Sequence, residues 1–178
     1  SQMSAYLLGV PDNGTIGVRD VVDHVRHIAA HTSIPILADA DTGFGNATNV
    51  RYTVAELIRS GVAGLQIEDQ QWPKNSAGTH RSISLDEAVA KIRAAVETRD
   101  ALDPAFVIAA RTDHLDAEGG TFDETLRRCI AFARDGGADL VWFSSPSTRD
   151  QIRTVCPKTP APVLVLWSPR ATEPQPSV

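Results

Sequence analysis

Two short apolar segments that end abruptly in carboxylates constrain the fold of this chain more than any other feature. The first, PILADADTGFGN, covers residues 35–46, and the second, GLQIEDQ, covers residues 64–70. Apolar runs of this length, bounded by turn residues, are typical of buried parallel strands. Because α/β proteins place their chemistry at the carboxyl ends of such strands, we expect Asp39, Asp41 and Glu68 to converge on one rim.

Helical patterns alternate with strand patterns along the chain. Ser84 with Glu87 and Thr121 with Glu124 are capping-box pairs that predict helix starts, and Asn49 is a candidate cap of an earlier helix. Further helices are expected from residue 18 to about 31 and over 149–155, and strands over 34–38, 63–67, 106–110, 138–143 and 163–166. Repeated βα units imply a parallel sheet with right-handed crossovers.

Two α/β architectures fit this alternation, a (β/α)8 TIM barrel and an open doubly wound sheet. Every predicted strand ends in polar residues, which favours a barrel, since an open sheet usually concentrates its ligands at one switch point. No GxGxxG or GxxxxGK[ST] motif is present. A complete barrel needs roughly 250 residues, whereas this chain has 178 and about five readable strands. We therefore predict one incomplete TIM-barrel domain over 1–167 and a Pro-rich tail over 168–178.

Composition argues against several classes of partner. The net charge is −5 and no run of Lys or Arg occurs, so we expect neither nucleic acid nor an anionic membrane as a partner. No apolar stretch of the sequence reaches transmembrane length, and we expect no signal peptide. Cys129 and Cys156 form no metal-binding spacing. A reducing, cytoplasmic setting is the default expectation.

The acidic rim points to a metal ion. Asp39, Asp41 and Glu68 would supply hard oxygen ligands, and the sequence shows no matching basic partner beside them. Clustered ligands of this kind favour Mg²⁺ or Mn²⁺. The alternative is that these acids cap helices or lie solvated in loops.

A set of motifs in fixed order carries a family resemblance. The most specific are DADTGFGN at 39–46, IEDQ at 67–70 and ARTD at 110–113, and the matching stretches together cover most of residues 5–143. On this combination the chain resembles the isocitrate lyase/phosphoenolpyruvate mutase superfamily. The resemblance implies a (β/α)8 barrel with Mg²⁺ at its carboxyl rim, of which this chain supplies the third to seventh strands. It also implies a homo-oligomer, although the C-terminal helices that family members exchange between subunits are not matched.

The same resemblance assigns roles at the rim. The family's metal-site acids are matched by Asp39, Asp41 and Glu68, with Asp12 as a further acid near the metal. Some of these would act through water, because Mg²⁺ keeps several of its waters. Arg111 would bind a substrate carboxylate, since its planar guanidinium can donate two parallel hydrogen bonds. The alternative for Arg111 is a structural ion pair with Glu68 or Asp113.

The loop over residues 70–81 corresponds to the family's active-site lid and departs from the lyase pattern. Carbon–carbon lyases carry a Lys-Lys/Arg-Cys-Gly-His motif there, whose Cys protonates the product enolate, and this chain has no Cys in the loop. Lys74 and His80 are the candidate catalytic residues that remain. The Pro-Lys-Asn-Ser sequence of the loop resembles the lid of the phosphonate-processing branch, which makes Asn75 and Ser76 candidate substrate-binding residues.

Three further positions bear on substrate binding. Phe44 is a candidate wall of the site, with ordinary aromatic packing as the alternative. Ser168, followed by Pro, is similar to the Ser-Pro-Ser of isocitrate lyases that binds a carboxylate. Ser144 stands where the mutase carries a His, and ARTD is the lyase form of its motif.

The resemblance implies a Mg²⁺-dependent carbon–carbon lyase or decarboxylase that acts on a small 2-oxo or 2-hydroxy (di)carboxylate through an enolate. Two alternatives stay open. One is phosphonopyruvate-type C–P chemistry, as a mutase or hydrolase, which the lid sequence favours and Ser144 disfavours. The other is a non-catalytic remnant or partner-dependent subunit, because an incomplete barrel exposes strand edges and apolar helix faces.

Overall fold

The computed structural model describes residues 2–74, 80–167 and 173–174. Helices and parallel strands alternate along it, as the sequence predicts. The helices are α1 (Gln2–Leu8), α2 (Val18–Ala29), α3 (Ala47–Arg59), α4 (Leu85–Leu102), α5 (Phe122–Arg134) and α6 (Arg149–Lys158). The strands are β1 (Leu37–Asp39), β2 (Gly64–Glu68), β3 (Val107–Thr112), β4 (Leu140–Ser144) and β5 (Val163–Leu166), and a short 3-10 turn covers His114–Asp116.

The strands form one five-stranded sheet in the order β1-β2-β3-β4-β5. All four pairings are parallel and join strands that follow one another in the chain. Consecutive order is that of a (β/α)8 barrel, whereas a doubly wound sheet reverses its order at a switch point. The predicted α/β fold of TIM-barrel type is therefore confirmed. Within the described residues, β1 and β5 remain edge strands, so this part of the barrel does not close.

Successive side chains of each strand point to opposite faces of the sheet. One face is covered by the helices, and the other is the inner face. Side chains on the helix-covered face are buried in two apolar clusters with the helices, and they include Leu65, Ile67, Ile108, Val141 and Phe143. The inner face carries Asp39, Glu68 and Arg111, while Leu37 and Leu166, nearer the edges of the sheet, are 40% and 45% exposed. Polar groups and uncovered apolar groups thus share the inner face.

Helix boundaries confirm two predicted caps and correct a third. The Oγ atoms of Ser84 and Thr121 accept hydrogen bonds from the backbone N–H groups three residues later, at 3.2 and 3.3 Å. The prediction that Asn49 caps α3 is wrong. Asn46 is the cap, because its Oδ1 accepts from the N–H of Thr48 at 2.9 Å, and the Asn46 N–H in turn donates to Oδ1 of Asn49 at 3.1 Å. The helical patterns of the sequence do not predict helix α1.

The first strand is shorter than predicted, at Leu37–Asp39 rather than 34–38. Pro35 cannot donate a ladder hydrogen bond, and Ile34 is 73% exposed. No helix of the described residues has both the length and the apolar character needed to cross a membrane. The boundary between a domain over 1–167 and a tail over 168–178 stays a prediction.

Candidate active site

The carboxyl ends of three neighbouring strands form the predicted rim. Asp39 ends β1, Glu68 ends β2, and Arg111 lies one residue before the end of β3. Glu68 and Arg111 face each other across the β2–β3 pairing, and their side chains are 2% and 21% exposed. The structure therefore brings the predicted acids and the predicted carboxylate-binding arginine to one place.

A tight loop after β1 turns Asp41 back toward this rim. Asp41 and Phe44 have positive φ values of 53° and 59°, and Gly43 between them has a φ of 84°. A Cβ atom at Gly43 would lie 2.6 Å from Cγ2 of Val50, so a larger residue cannot replace this glycine without a shift. The Asp41 N–H donates to Oδ1 of Asp39 at 2.9 Å. The DADTGFG sequence thus fixes the two aspartates relative to each other.

The ammonium group of Lys74 lies among three of the predicted metal-site acids. Its Nζ is 2.9 Å from Oδ2 of Asp12, 3.0 Å from Oε1 of Glu68 and 3.1 Å from Oδ2 of Asp41. Lys74 is only 9% exposed. Burial alone would lower the pKa of Lys74, but the surrounding carboxylates raise it above its usual range. Lys74 is therefore a charged counter-ion of the acids, and the expectation that they lack a basic partner is wrong.

Burial also acts on the acids themselves. It raises the pKa of Glu68 to about 8, helped by the nearby Asp113 carboxylate and opposed by Lys74 and Arg111. Burial likewise raises the pKa of Asp41, against the attraction of Lys74. A buried carboxylate of this kind gains from a nearby cation, because a cation offsets the cost of removing its charge from water.

The donor set suits a hard cation, although its present arrangement serves the ammonium. Asp12, Asp41 and Glu68 all direct an oxygen at one positive charge, and oxygens of this type are the ligands of Mg²⁺ and Mn²⁺. Within the described ranges, no three His, Cys, Asp or Glu side chains are arranged so that they could hold a metal ion. Asp39 stands beside the cluster, with its Oδ1 accepting from the Gln66 side-chain amide. The metal roles of these four acids stay a prediction.

Arg111 is held by acids on one side and lies over an aromatic ring on the other. Its Nε donates to Oδ1 of Asp113 at 2.8 Å, and its Nη1 is 3.5 Å from Oε2 of Glu68. Its Cζ lies 5.3 Å from the centre of the Trp142 ring. The ion pairs foreseen as the alternative reading of Arg111 are thus present. The guanidinium nevertheless keeps partial exposure, so it can also reach a ligand.

Asp113 anchors this arginine. Burial alone would raise the pKa of Asp113, but the charge of Arg111 and hydrogen bonds from Gln70 and Ser144 hold it below its usual range. The Gln70 side-chain amide donates to Oδ2 of Asp113 at 2.8 Å. Ser144, which stands at the position of the mutase His, therefore takes part in orienting Asp113.

His80 lies at the same rim without touching the acids. Its Nε2 is 2.9 Å from the backbone carbonyl oxygen of Asp113. Because a carbonyl oxygen can only accept a hydrogen bond, Nε2 must carry the proton. Only Nδ1 is then left for proton exchange. Phe44 packs edge-to-face on Trp72 with 6.0 Å between ring centres, which places it beside the lid segment. Asn75, Ser76 and Ser168 lie outside the described residues, and their roles stay predictions.

Several buried polar residues near the rim were not singled out from sequence. Lys91 is 3% exposed and its Nζ donates to the Thr42 carbonyl oxygen at 3.1 Å, which supports the loop after β1. Asp69 and Arg128 form a buried ion pair at 2.9 Å. Arg128 could have been noticed from the sequence, because it lies one position before Cys129, on the apolar side of α5. A charged residue on such a face needs a buried partner.

Comparison with known proteins agrees with this architecture. The profile described as phosphoenolpyruvate phosphomutase matches residues 1–177. The consecutive βα units and the acidic rim thus define a member of that family, and the chain belongs to it within the PEP mutase/isocitrate lyase superfamily. The predicted family resemblance is confirmed.

Two curated relatives show how far the similarity extends. The chain is 40% identical to 2,3-dimethylmalate lyase of Eubacterium barkeri over 154 residues, which cover 85% of this chain and 52% of that protein. It is 37% identical to oxaloacetate decarboxylase of Rhodopseudomonas palustris (strain HaA2) over 172 residues, which cover 96% of this chain and 57% of that protein. The chain therefore spans about half the length of these relatives.

Solved structures give the same result. A crystal structure of 2,3-dimethylmalate lyase matches with a TM-score of 0.86 and 33% identity, covering 98% of this chain and 58% of that chain. Phosphonopyruvate hydrolase in complex with oxalate and Mg²⁺ matches with a TM-score of 0.77 and 33% identity, covering 91% of this chain and 56% of that chain. The backbone of this chain is thus similar to both branches that the lid sequence left open.

Proposed function

We propose that this chain carries the acid-and-arginine part of an enolate-stabilising site, in a carbon–carbon lyase or decarboxylase of small 2-oxo or 2-hydroxy dicarboxylates. One observation carries the proposal. Asp12, Asp41 and Glu68 surround one cation within 3.1 Å, and Arg111 lies beside them on the same rim. Such a rim can hold a cation and bind an anionic substrate next to it.

Mg²⁺ is the cofactor we propose, with Mn²⁺ as a substitute. Asp39, Asp41 and Glu68 would hold it, with Asp12 as a further acid, and Lys74 would then have to give up its place among them. When bound, the ion supplies positive charge that stabilises a developing enolate. The support from relatives is that phosphonopyruvate hydrolase was crystallised with both oxalate and Mg²⁺.

Substrate binding, charge stabilisation and proton exchange would fall to other residues of the rim. Arg111 would bind the substrate carboxylate through the guanidinium N–H groups that Asp113 does not engage, while Asp113 holds Nε in place. Breaking a bond at C3 leaves its electron pair on an enolate, whose negative charge Arg111 would help to stabilise. Lys74 and His80 are the groups placed to carry charge or exchange a proton at this rim. Decarboxylation suits a lid without a protonating Cys better than retro-aldol cleavage does.

The names of the relatives support dicarboxylate chemistry. 2,3-Dimethylmalate and oxaloacetate are both small dicarboxylates with an oxygen at C2, and one relative is a lyase and the other a decarboxylase. A direct test is to measure pyruvate formation, with Mg²⁺ present, from oxaloacetate and from 2-hydroxy dicarboxylates that carry a methyl group at C2, such as 2,3-dimethylmalate. We expect turnover that falls about tenfold to a hundredfold in Asp39→Asn. The matched control is Asp150→Asn, at an exposed aspartate on α6. Absence of turnover with every substrate would overturn the activity.

Phosphonopyruvate cleavage is the second candidate. The lid sequence Pro-Lys-Asn-Ser and the structural match to phosphonopyruvate hydrolase favour it, whereas Ser144 stands where the mutase carries a His. The same protein preparation should be given phosphonopyruvate, with release of inorganic phosphate as the readout. Phosphate release faster than pyruvate formation from oxaloacetate would reverse our order of preference.

We also propose a cytoplasmic homo-oligomer. Both cysteines are free thiols, which suits a reducing compartment. Among the described residues β1 and β5 are edge strands, and Leu37, Val107 and Leu166 on the inner face are 38–45% exposed. Unpaired strand edges favour association with another chain. Light scattering after size exclusion would test this, and a monomer would contradict it. A monomer that also fails to bind oxalate would favour the non-catalytic, partner-dependent alternative.

A further inference from the structure

A buried ion pair joins helix α5 to the end of strand β2. Nη1 of Arg128 lies 2.9 Å from Oδ2 of Asp69, and the two side chains are 5% and 1% exposed. A buried pair of this kind adds little net stability, because desolvating two charges offsets most of their attraction. The pair is therefore more important for the groups that it holds in place than for the stability of the fold.

Asp69 connects this pair to the backbone that carries the rim. Its Oδ2 accepts from the Thr112 hydroxyl at 2.7 Å, and its Oδ1 accepts from the Asp113 N–H at 2.9 Å. Asp113 in turn accepts from Nε of Arg111 at 2.8 Å. A continuous chain of hydrogen bonds thus runs from Arg128 through Asp69 and Asp113 to Arg111.

The other donors of Arg128 fix the segment that follows the lid loop. Nη2 donates to the Ile83 carbonyl oxygen at 2.8 Å, and the Ile83 N–H donates to the Asp69 carbonyl oxygen at 2.9 Å. Nε of Arg128 donates to Oε1 of Glu124 at 3.1 Å. One guanidinium therefore ties together α5, the end of β2 and residue 83. A lysine cannot reproduce this, because its single ammonium lacks the planar set of donors.

We propose that Arg128 is a positioning residue for Arg111, acting through Asp69 and Asp113 without touching the ligand. This inference rests on the proposed function, in which Arg111 binds the substrate carboxylate. Without Arg128, Asp69 loses its charge partner and the hydrogen bond that holds its carboxylate from α5. The hydrogen bond from the Asp113 N–H to Asp69 then weakens, Asp113 is less firmly positioned, and the guanidinium of Arg111 loses its orientation.

The test compares Arg128→Met with Arg127→Met. Arg127 is the neighbouring arginine, and it also pairs with Glu124, at 2.6 Å, but its side chain is 65% exposed. Oxalate affinity is measured in the presence of Mg²⁺. We expect Arg128→Met to weaken oxalate binding about tenfold to a hundredfold, as loss of an outer supporting residue typically does. Arg127→Met should stay within about twofold of the original chain, as a surface change does.

A second readout reports on Arg111 without any ligand. Arg111 stacks over Trp142, so incorporation of 5-fluorotryptophan makes the fluorine signal of Trp142 a reporter of that contact. The signal is assigned by its loss in Trp142→Phe. We expect it to move in Arg128→Met and to stay in place in Arg127→Met. A purely structural role of Arg128 would lower the melting temperature without moving this signal in the folded protein.

The outcomes separate the two proposals. If the original chain does not bind oxalate, the proposed function fails, and the Trp142 signal alone decides the positioning role. If Arg128→Met folds and leaves both oxalate affinity and the Trp142 signal unchanged, the positioning role is overturned. Should Arg128→Met fail to fold, Arg128→Lys, which keeps the charge, takes its place. A Trp142 signal and oxalate affinity in Arg128→Lys equal to those of the original chain would equally overturn it.

Discussion

Nζ of Lys74 lies 3.0 Å from Oε1 of Glu68, the buried acid at the end of β2. The same ammonium contacts two further acids, so an internal cation stands where the family resemblance places a metal. Two cations cannot share these oxygens at contact distance, because like charges at such a separation repel strongly. The proposed Mg²⁺ would therefore compete with the ammonium of Lys74 for the cluster.

Removal of the Lys74 charge should make the protein depend on Mg²⁺. Lys74→Met removes the ammonium that contacts Asp12, Asp41 and Glu68, and breaking a buried pair such as Lys74 with Glu68 costs about 3–5 kcal/mol. We expect thermal unfolding of Lys74→Met to shift to lower temperature without Mg²⁺ and to recover more strongly than the original chain when Mg²⁺ is added. Lys158→Met, at an exposed lysine of α6, is the matched control. Equal responses to Mg²⁺ in the original chain and in Lys74→Met would contradict the competition.

Arg111 should govern anion binding more than metal binding. In Arg111→Met we expect oxalate affinity to fall by roughly 2–3 kcal/mol, the value of a charge-assisted hydrogen bond, while Mg²⁺ affinity measured without oxalate changes little. Isothermal titration of each ligand separately provides the measurement. The control is Arg51→Met, since Arg51 pairs with Glu97 at an exposed position. A larger loss for Mg²⁺ than for oxalate would assign Arg111 a structural role instead.

The corrected helix cap yields a stability prediction. Asn46→Ala removes the side chain that accepts from the Thr48 and Asn49 N–H groups, which should cost about 1 kcal/mol of unfolding free energy. Asn49→Ala removes only the reciprocal hydrogen bond to the Asn46 N–H and should cost less. Urea denaturation of both variants measures the difference. A larger loss in Asn49→Ala would restore the sequence-based assignment of the cap.

His114 should make stability fall in mild acid. Burial lowers the pKa of His114, and the charge of Arg128 lowers it further, so the folded state favours the neutral ring. The unfolded chain binds this proton near pH 6.5, and the folded chain only at lower pH. The contribution of neutral His114 to the free energy of unfolding is therefore fully present above about pH 6.5 and is lost as the pH falls below that value. Urea denaturation between about pH 7.5 and about pH 5.5 measures how the free energy of unfolding falls with pH. His114→Gln should make this fall smaller, whereas His27→Gln on α2 should leave it unchanged.

Local rules predicted the elements of the fold well. The Ser84 and Thr121 caps begin α4 and α5 as expected, because each depends on a hydrogen bond between residues three apart. The rim of Asp39, Glu68 and Arg111 also followed from sequence, since parallel strands bring their carboxyl ends to one edge. These features need only local spacing and the direction of the strands.

Features that depend on long-range contacts were missed. Lys74 meets Asp12 across sixty-two positions of the chain, and the path of an irregular loop is not set by any periodicity. Arg128 lies on a helix, where a charged residue is ordinarily assigned to the surface, yet its partner Asp69 is fifty-nine positions away. The sequence predicts Asn49 as the cap and not Asn46, because asparagine is a good cap at either position and local spacing does not reveal the loop with positive φ at Phe44 and Gly45 that leads into α3.

Titration of oxalate, a planar mimic of the enolate of pyruvate, with and without Mg²⁺ decides whether the rim of this chain is a working enolate site. We expect tight oxalate binding that requires Mg²⁺, that is lost in Asp39→Ala and that is kept in Asp150→Ala. No oxalate binding under either condition, in a chain shown to be folded, would mean that the rim does not stabilise an enolate.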